Sequence, residues 1–169
     1  SQGANFFDKN LKDLIVNISK TFPIKVLQQT SEENFSFLKD YYSNNNIENK
    51  IFTFEKNLPD LIQQSDICIT RSGASTLAEL SVLNLPFIAV PLPSSKDNHQ
   101  FENACFYKNN DCCWLIEQRY FEEKIEDFLK NILTNQSEYL KKKENLKKLN
   151  YQNSWFNVNQ KILKVINEN

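Results

Sequence analysis

An α/β fold built on a doubly wound parallel sheet is expected from three features of this 169-residue chain. Short apolar runs alternate with segments of helical period along its length, the pattern of strands joined by crossover helices. Between Ser65 and Asn103 (SDICITRSGASTLAELSVLNLPFIAVPLPSSKDNHQFEN) two apolar runs are each followed by a polar loop. Both loops then leave the same end of a parallel sheet, the end where open α/β sheets bind ligands. The length, finally, suits one domain that buries roughly two thirds of its unfolded surface.

Taken in order, Leu11, Leu14, Ile15, Ile18 and Phe22 set a helix over Asn10 to Thr21, stopped by Pro23. Ile24 to Gln29 reads as a short strand, and a helix from Ser31 to Tyr42 carries Phe35, Leu38 and Tyr42 on one side. Asn44-Asn45-Asn46 makes a polar loop. Ile51 to Phe54 is the next strand, followed by a short helix from Leu58 to Gln64 whose Pro59 suits a first turn. The central stretch divides into a strand (Ile67 to Thr70), a small-residue turn (Arg71 to Ser75) and a helix (Thr76 to Leu83). A second strand (Phe87 to Val90) leads to a polar loop that ends at His99 and Gln100. Phe101, Ala104, Cys105 and Lys108 begin another helix, and Cys112 to Ile116 another strand. Ile125, Phe128, Leu129 and Ile132 make Phe121 to Leu133 amphipathic, a further helix covers Ser137 to Leu149, and Ser154 to Ile166 closes the chain. Internal repeats and linkers are absent; the asparagine and lysine richness reads as composition bias.

A net charge of −1 with balanced acids and bases lacks the basic stripe of a nucleic-acid module, so no nucleic acid is expected as partner. The dense basic cluster, Lys141-Lys142-Lys143 with Lys147-Lys148, reads as the solvated face of a helix with Leu140, Leu146 and Leu149 beneath. A membrane-surface role is the competing reading. No apolar run approaches the ~20 residues of a transmembrane segment and nothing resembles a signal peptide, so a cytoplasmic protein is expected. Cys68, Cys105, Cys112 and Cys113 show no CxxC spacing and His99 is the lone histidine, so neither a zinc site nor a cofactor is expected. Reduced thiols follow, with Cys68 a small hydrophobe of a core strand.

The turn Arg71-Ser72-Gly73-Ala74-Ser75-Thr76 has the composition of an anion cradle. Gly73 permits a sharp turn and close approach to a ligand, and Ser75 or Thr76 can cap the helix while free N–H groups point outward. Glu79 follows Ser75 by four residues and lies on roughly the same face, where a carboxylate can accept two hydrogen bonds from a ribose diol. An ordinary capping box on a surface helix is the competing reading of the same residues.

RSGASTLAEL followed by LPFIAVPLPSSKDNHQFENA resembles the donor-binding half of the MurG family, glycosyltransferase family 28, the bacterial enzymes that add N-acetylglucosamine to lipid I in peptidoglycan synthesis. The opening Ser1-Gln2-Gly3-Ala4 looks like the tail of that family's Gly-Gly-Ser-Gln-Gly-Ala loop. The resemblance implies the Rossmann-like second half of a GT-B glycosyltransferase binding UDP-N-acetylglucosamine. It also implies a fragment, as does the absence of methionine: residues 1–169 form the donor domain without its first strand, and the N-terminal acceptor domain lies elsewhere. By the same resemblance, Ser1 meets the diphosphate. Ala74, Ser75 and Thr76 present backbone and hydroxyl groups to the diphosphate and sugar, with Leu77 beside them. Glu79 holds the ribose, Gln100 the sugar hydroxyls, and main-chain groups around Phe54 and Glu55 read the uracil edge. Gly73 belongs to the same turn, and His99 reads as a wall of the pocket, with general base as the sharper alternative.

Two departures from the family pattern stand out. Asn84 occupies a position usually held by glycine, and Asn110-Asp111 replaces a glycine-containing turn, although asparagine tolerates the left-handed conformation. Inverting transfer needs a base on the acceptor hydroxyl and charge stabilisation on the leaving diphosphate. Helix N-termini supply the second. The resemblance puts the base and the lipid I site in the other half of the enzyme, which sits peripherally on the inner face of the membrane, so the chain alone is expected to bind donor without transferring sugar. Three alternatives are the donor subunit of a split transferase, a UDP-sugar epimerase, and a non-catalytic sugar-nucleotide module. Trp155-Phe156 is expected either to be buried or to pack on the other half.

Overall fold

The computed structural model describes residues 2–152, 159–160 and 163–164. Its elements run α1 (Gln2–Ser19), β1 (Lys25–Gln29), α2 (Glu32–Asn44), β2 (Glu48–Phe52), α3 (Leu58–Gln63), β3 (Cys68–Thr70), α4 (Ala74–Val82), β4 (Phe87–Ala89), α5 (His99–Asn109), β5 (Cys113–Leu115), α6 (Phe121–Thr134) and α7 (Gln136–Gln152). The alternation expected for an α/β chain is present, and every strand pairing is parallel. Ser1 and the Trp155-Phe156 pair lie outside the described residues. Among those described, no helix is long and apolar enough to cross a membrane.

Two compact units divide the chain. One comprises Ser1–Ser65 with Arg119–Thr134 and contains α1 to α3, α6 and the β1-β2 ladder, in register from Lys25 opposite Glu48 to Gln29 opposite Phe52. The ladder, not the local apolar run, sets the limits of β2, which starts and ends earlier than Ile51 to Phe54 and leaves Phe54 in the loop beyond. Val26, Leu38, Tyr42, Ile47 and Ile51 form its core, with Ile15, Val16, Ile24, Phe35 and Tyr41 packed around them. Helix α1 begins at Gln2, so Gln2-Gly3-Ala4 is its first turn and not a loop ahead of a helix at Asn10. The early start has a packing reason. Phe6 and Phe7 sit edge-on to Phe121 of α6 at 5.1 and 6.1 Å between ring centroids, and Asp8 is buried. Donors from Gln28, Thr30 and Asn34 all reach the Asp8 carboxylate at 2.7 to 2.9 Å, and Tyr42 donates to Gln28 behind them. A buried carboxylate is tolerable because each oxygen is hydrogen-bonded.

The other unit comprises Asp66–Gln118 and Asn135–Asn169, with strand order β3-β4-β5. Central β4 is fully buried through Phe87, Ile88 and Ala89, as a parallel strand covered on both faces should be. Helices α4 and α7 pack together, Leu77, Leu80, Leu146 and Leu149 being buried. The lysine cluster on α7 is not a uniformly solvated face. Lys142 is 4% exposed, bonded to Asp111 at 2.7 Å with its ammonium 4.8 Å from the centre of the Trp114 ring, whereas Leu140, expected underneath, is 52% exposed. Lys141 reaches the other Asp111 oxygen at 2.8 Å. Pairing with a carboxylate and an aromatic face is what makes a buried lysine affordable.

All four cysteines are free. Burial pushes the Cys68 and Cys113 thiols up to about 12, so they behave as small apolar groups.

Candidate functional site

In the second unit, the turn after β3 and the loop after β4 leave the same end of the sheet, since Cys68–Thr70 pairs in parallel with Phe87–Ala89. Arg71 fastens that end. Its Nη1 donates to the Val90 carbonyl at 3.2 Å, and Nη2 donates to Gln118 Oε1 at 2.7 Å. Partial burial pulls its pKa down from the ordinary value, and the guanidinium is engaged with protein carbonyls instead of standing out as an anion receptor. The cradle therefore depends on backbone groups.

Helix α4 starts at Ala74, two residues before the expected Thr76, because Gly73 takes the cap position. The Gly73 φ of −64° and ψ of 137° are extended values open to any residue, so a sharp turn is not what glycine provides here. An added Cβ would meet nothing nearer than Thr76 Oγ1 at 3.8 Å. What glycine supplies is open space in front of the helix.

No side chain caps α4, so Ser75 and Thr76 are residues of its first turn and the capping-box reading falls. The first helical bond runs from the Leu77 N–H to the Gly73 carbonyl at 3.0 Å, which leaves the N–H groups of Ala74, Ser75 and Thr76 without helical acceptors. Those three residues are exposed, and no acid lies in the first turn to neutralise the positive end of the helix dipole. Leu77 differs from them: its N–H is engaged and its side chain is fully buried, so it supports the turn from beneath. Glu79 is exposed one turn into the helix, four residues after Ser75 and on its face.

Gln100 lies in the first turn of α5, where its Oε1 accepts the Ser72 N–H at 3.2 Å and the Leu92 N–H at 3.0 Å. With the oxygen occupied, its amide nitrogen is the group left to meet a ligand, as a donor. His99 is the exposed first residue of α5. Its Nδ1 is 2.6 Å from the Lys96 carbonyl, which fixes that nitrogen as the donor. Ahead of it, Asp97 and Asn98 both adopt the left-handed conformation.

The remaining candidates belong to the first unit. Phe54 is 80% exposed just after β2. The neighbouring Glu55 carboxylate accepts Lys50 Nζ at 2.7 Å and the Asn57 N–H at 3.1 Å, and the Lys50 ammonium holds it below the usual carboxylate range. That side chain braces its own loop. Of the residues expected from the sequence, Ala74, Ser75, Thr76 and Glu79 lie on α4 and Gln100 at the start of α5; Asn103, not among those expected, reaches the same turn. Asn103 Nδ2 donates to the Ser72 carbonyl at 3.0 Å, and its spacing of three from Gln100 was the available signal.

Comparison with known proteins places the chain in a family. The profile of the glycosyltransferase family 28 C-terminal domain matches residues 1–154. A UDP-N-acetylglucosamine--N-acetylmuramyl-(pentapeptide) pyrophosphoryl-undecaprenol N-acetylglucosamine transferase from Pelagibacter ubique is 47% identical over 170 residues, covering 100% of this chain and 48% of that protein. The enzyme of the same name from Rickettsia bellii is 34% identical, covering 85% and 43%. Among solved structures, Acinetobacter baumannii MurG superposes with a TM-score of 0.73 at 20% identity over 84% of this chain and 42% of that one, which establishes a shared fold. The chain spans about half the length of the curated relatives it matches.

Proposed function

The chain belongs to the glycosyltransferase family 28 C-terminal domains, and on that premise we propose that it is the donor-binding half of an inverting transferase that moves N-acetylglucosamine from UDP to lipid I. The observation that carries this reading is the uncapped N-terminus of α4, with three N–H groups on exposed residues that have no helical acceptor and the Glu79 carboxylate one turn further in. Backbone donors suit a diphosphate, and a carboxylate suits a vicinal diol. In this scheme Ala74, Ser75 and Thr76 hold the diphosphate, Glu79 holds the ribose, and the Gln100 amide nitrogen donates to a sugar hydroxyl.

During transfer, negative charge grows on the leaving diphosphate as the bond to the anomeric carbon breaks. N–H donors already aimed at that oxygen stabilise the charge without reorganising. The base that takes the acceptor proton, and the lipid I site, we place in the other half of the full-length enzyme, which works as a peripheral protein on the cytoplasmic face of the membrane. Calorimetric titration with UDP, UDP-N-acetylglucosamine and UDP-glucose tests the donor assignment. Saturable binding of UDP and its N-acetylglucosamine conjugate is expected, and the absence of heat with every uridine nucleotide would overturn it.

A further inference from the structure

Helix α5 holds one residue of the neighbouring turn, Ser72, through both of its main-chain groups. Gln100 accepts the Ser72 N–H, and Asn103 donates to the Ser72 carbonyl. The two side chains are three residues apart, hence on one face of the helix. Ser72 is fully buried and its hydroxyl has no partner among the described residues, so its main-chain bonds are what hold it in place. The very next residue, Gly73, accepts the first helical bond of α4. The Ser72–Gly73 peptide that Asn103 holds therefore leads directly into the cap of α4, whose first turn carries the N–H groups of Ala74, Ser75 and Thr76.

Resting on the donor-binding reading above, the geometry points to Asn103 as a positioning residue: through the Ser72 carbonyl it aims the N-terminus of α4 at the diphosphate. With Gln100, which also holds the Leu92 N–H, it makes α5 the element that joins the turn after β3 to the loop after β4. An amide on this face could instead serve by touching the sugar directly, and the two roles separate experimentally. A sugar contact leaves the affinity for UDP unchanged. A positioning bond acts on UDP and on UDP-N-acetylglucosamine alike.

The test uses Asn103→Ala and the isosteric Asn103→Asp, which sets an acceptor against the Ser72 carbonyl. Each variant of the 169-residue chain is titrated with both nucleotides, melted, and followed by amide hydrogen exchange over residues 70–80 without ligand. Asn103→Ala is expected to weaken both nucleotides by roughly threefold to tenfold, the worth of one ordinary hydrogen bond, and Asn103→Asp by more. Faster exchange is expected in the ligand-free variants at the Ser72 and Leu77 N–H groups, which are the hydrogen-bonded amides of this turn. Wild-type affinity for UDP in both variants, or unchanged exchange in both, overturns the positioning role. A wild-type chain that binds neither nucleotide overturns the donor-binding reading instead, and the exchange data still decide whether Asn103 holds the turn.

Discussion

At Gly73 the fold itself does not require a small residue, and under the donor-binding proposal the requirement comes from the ligand. Its backbone angles are ordinary, and a methyl group there touches no protein atom closer than 3.8 Å. Gly73→Ala should therefore leave the melting temperature unchanged or slightly raised, since alanine reduces the freedom of the unfolded chain. The same methyl stands before the free N–H groups of α4. UDP binding should weaken by about 1 to 3 kcal/mol, the usual cost of overfilling a fitted space. Calorimetry beside thermal melts reads both halves of the prediction. At Gln100 the oxygen accepts two protein N–H groups, so under the donor-binding proposal the amide nitrogen is the end that meets the sugar.

At the scale of elements, three helices end in the same way. After α2, α4 and α5 the chain turns through Asn46, Asn84 and Asp111 with φ of 57°, 54° and 53°. In each case the following N–H reaches back five residues, Ile47 to Tyr42, Leu85 to Leu80 and Cys112 to Tyr107, which is the Schellman closure usually built on glycine. With only two glycines in the chain, short polar side chains take that role. Asp111 does a second job by pairing with Lys141 and Lys142 of α7. Their hydrogen bonds hold its carboxyl below the ordinary 3.8, so the folded state favours the ionised form. That contribution to stability is present above the unfolded pKa and is lost as pH falls through the lower folded value. Asp111→Asn should accordingly melt below wild type at pH 7, and the gap should narrow under acid conditions below about pH 4. A gap independent of pH would detach the effect from the ion pairs.

Across the whole molecule, what could be read from the sequence was local: the parallel strand-turn-helix-strand order around Arg71, the helical period of α6, and residue types suited to a sugar nucleotide. What could not be read depends on partners distant in sequence. Lys142 is buried because Asp111, 31 residues earlier, and Trp114 receive it. Helix α1 extends back to Gln2 because Phe6, Phe7 and Asp8 find Phe121, Gln28, Thr30 and Asn34. Asn103 has a local cue in its spacing from Gln100, but its partner, the Ser72 carbonyl, lies 31 residues earlier. Under the proposed function, the exposed start of α4 receives a ribonucleoside diphosphate with Glu79 on its ribose. Titrating UDP and 2′,3′-dideoxy-UDP into the wild-type chain and into Glu79→Ala tests it most directly. Wild type should prefer the ribonucleotide by about 1 to 3 kcal/mol, the worth of hydrogen bonds to a charged group, and the variant should lose this preference. Equal preference in both proteins, or a variant that binds UDP as tightly as wild type, would contradict it.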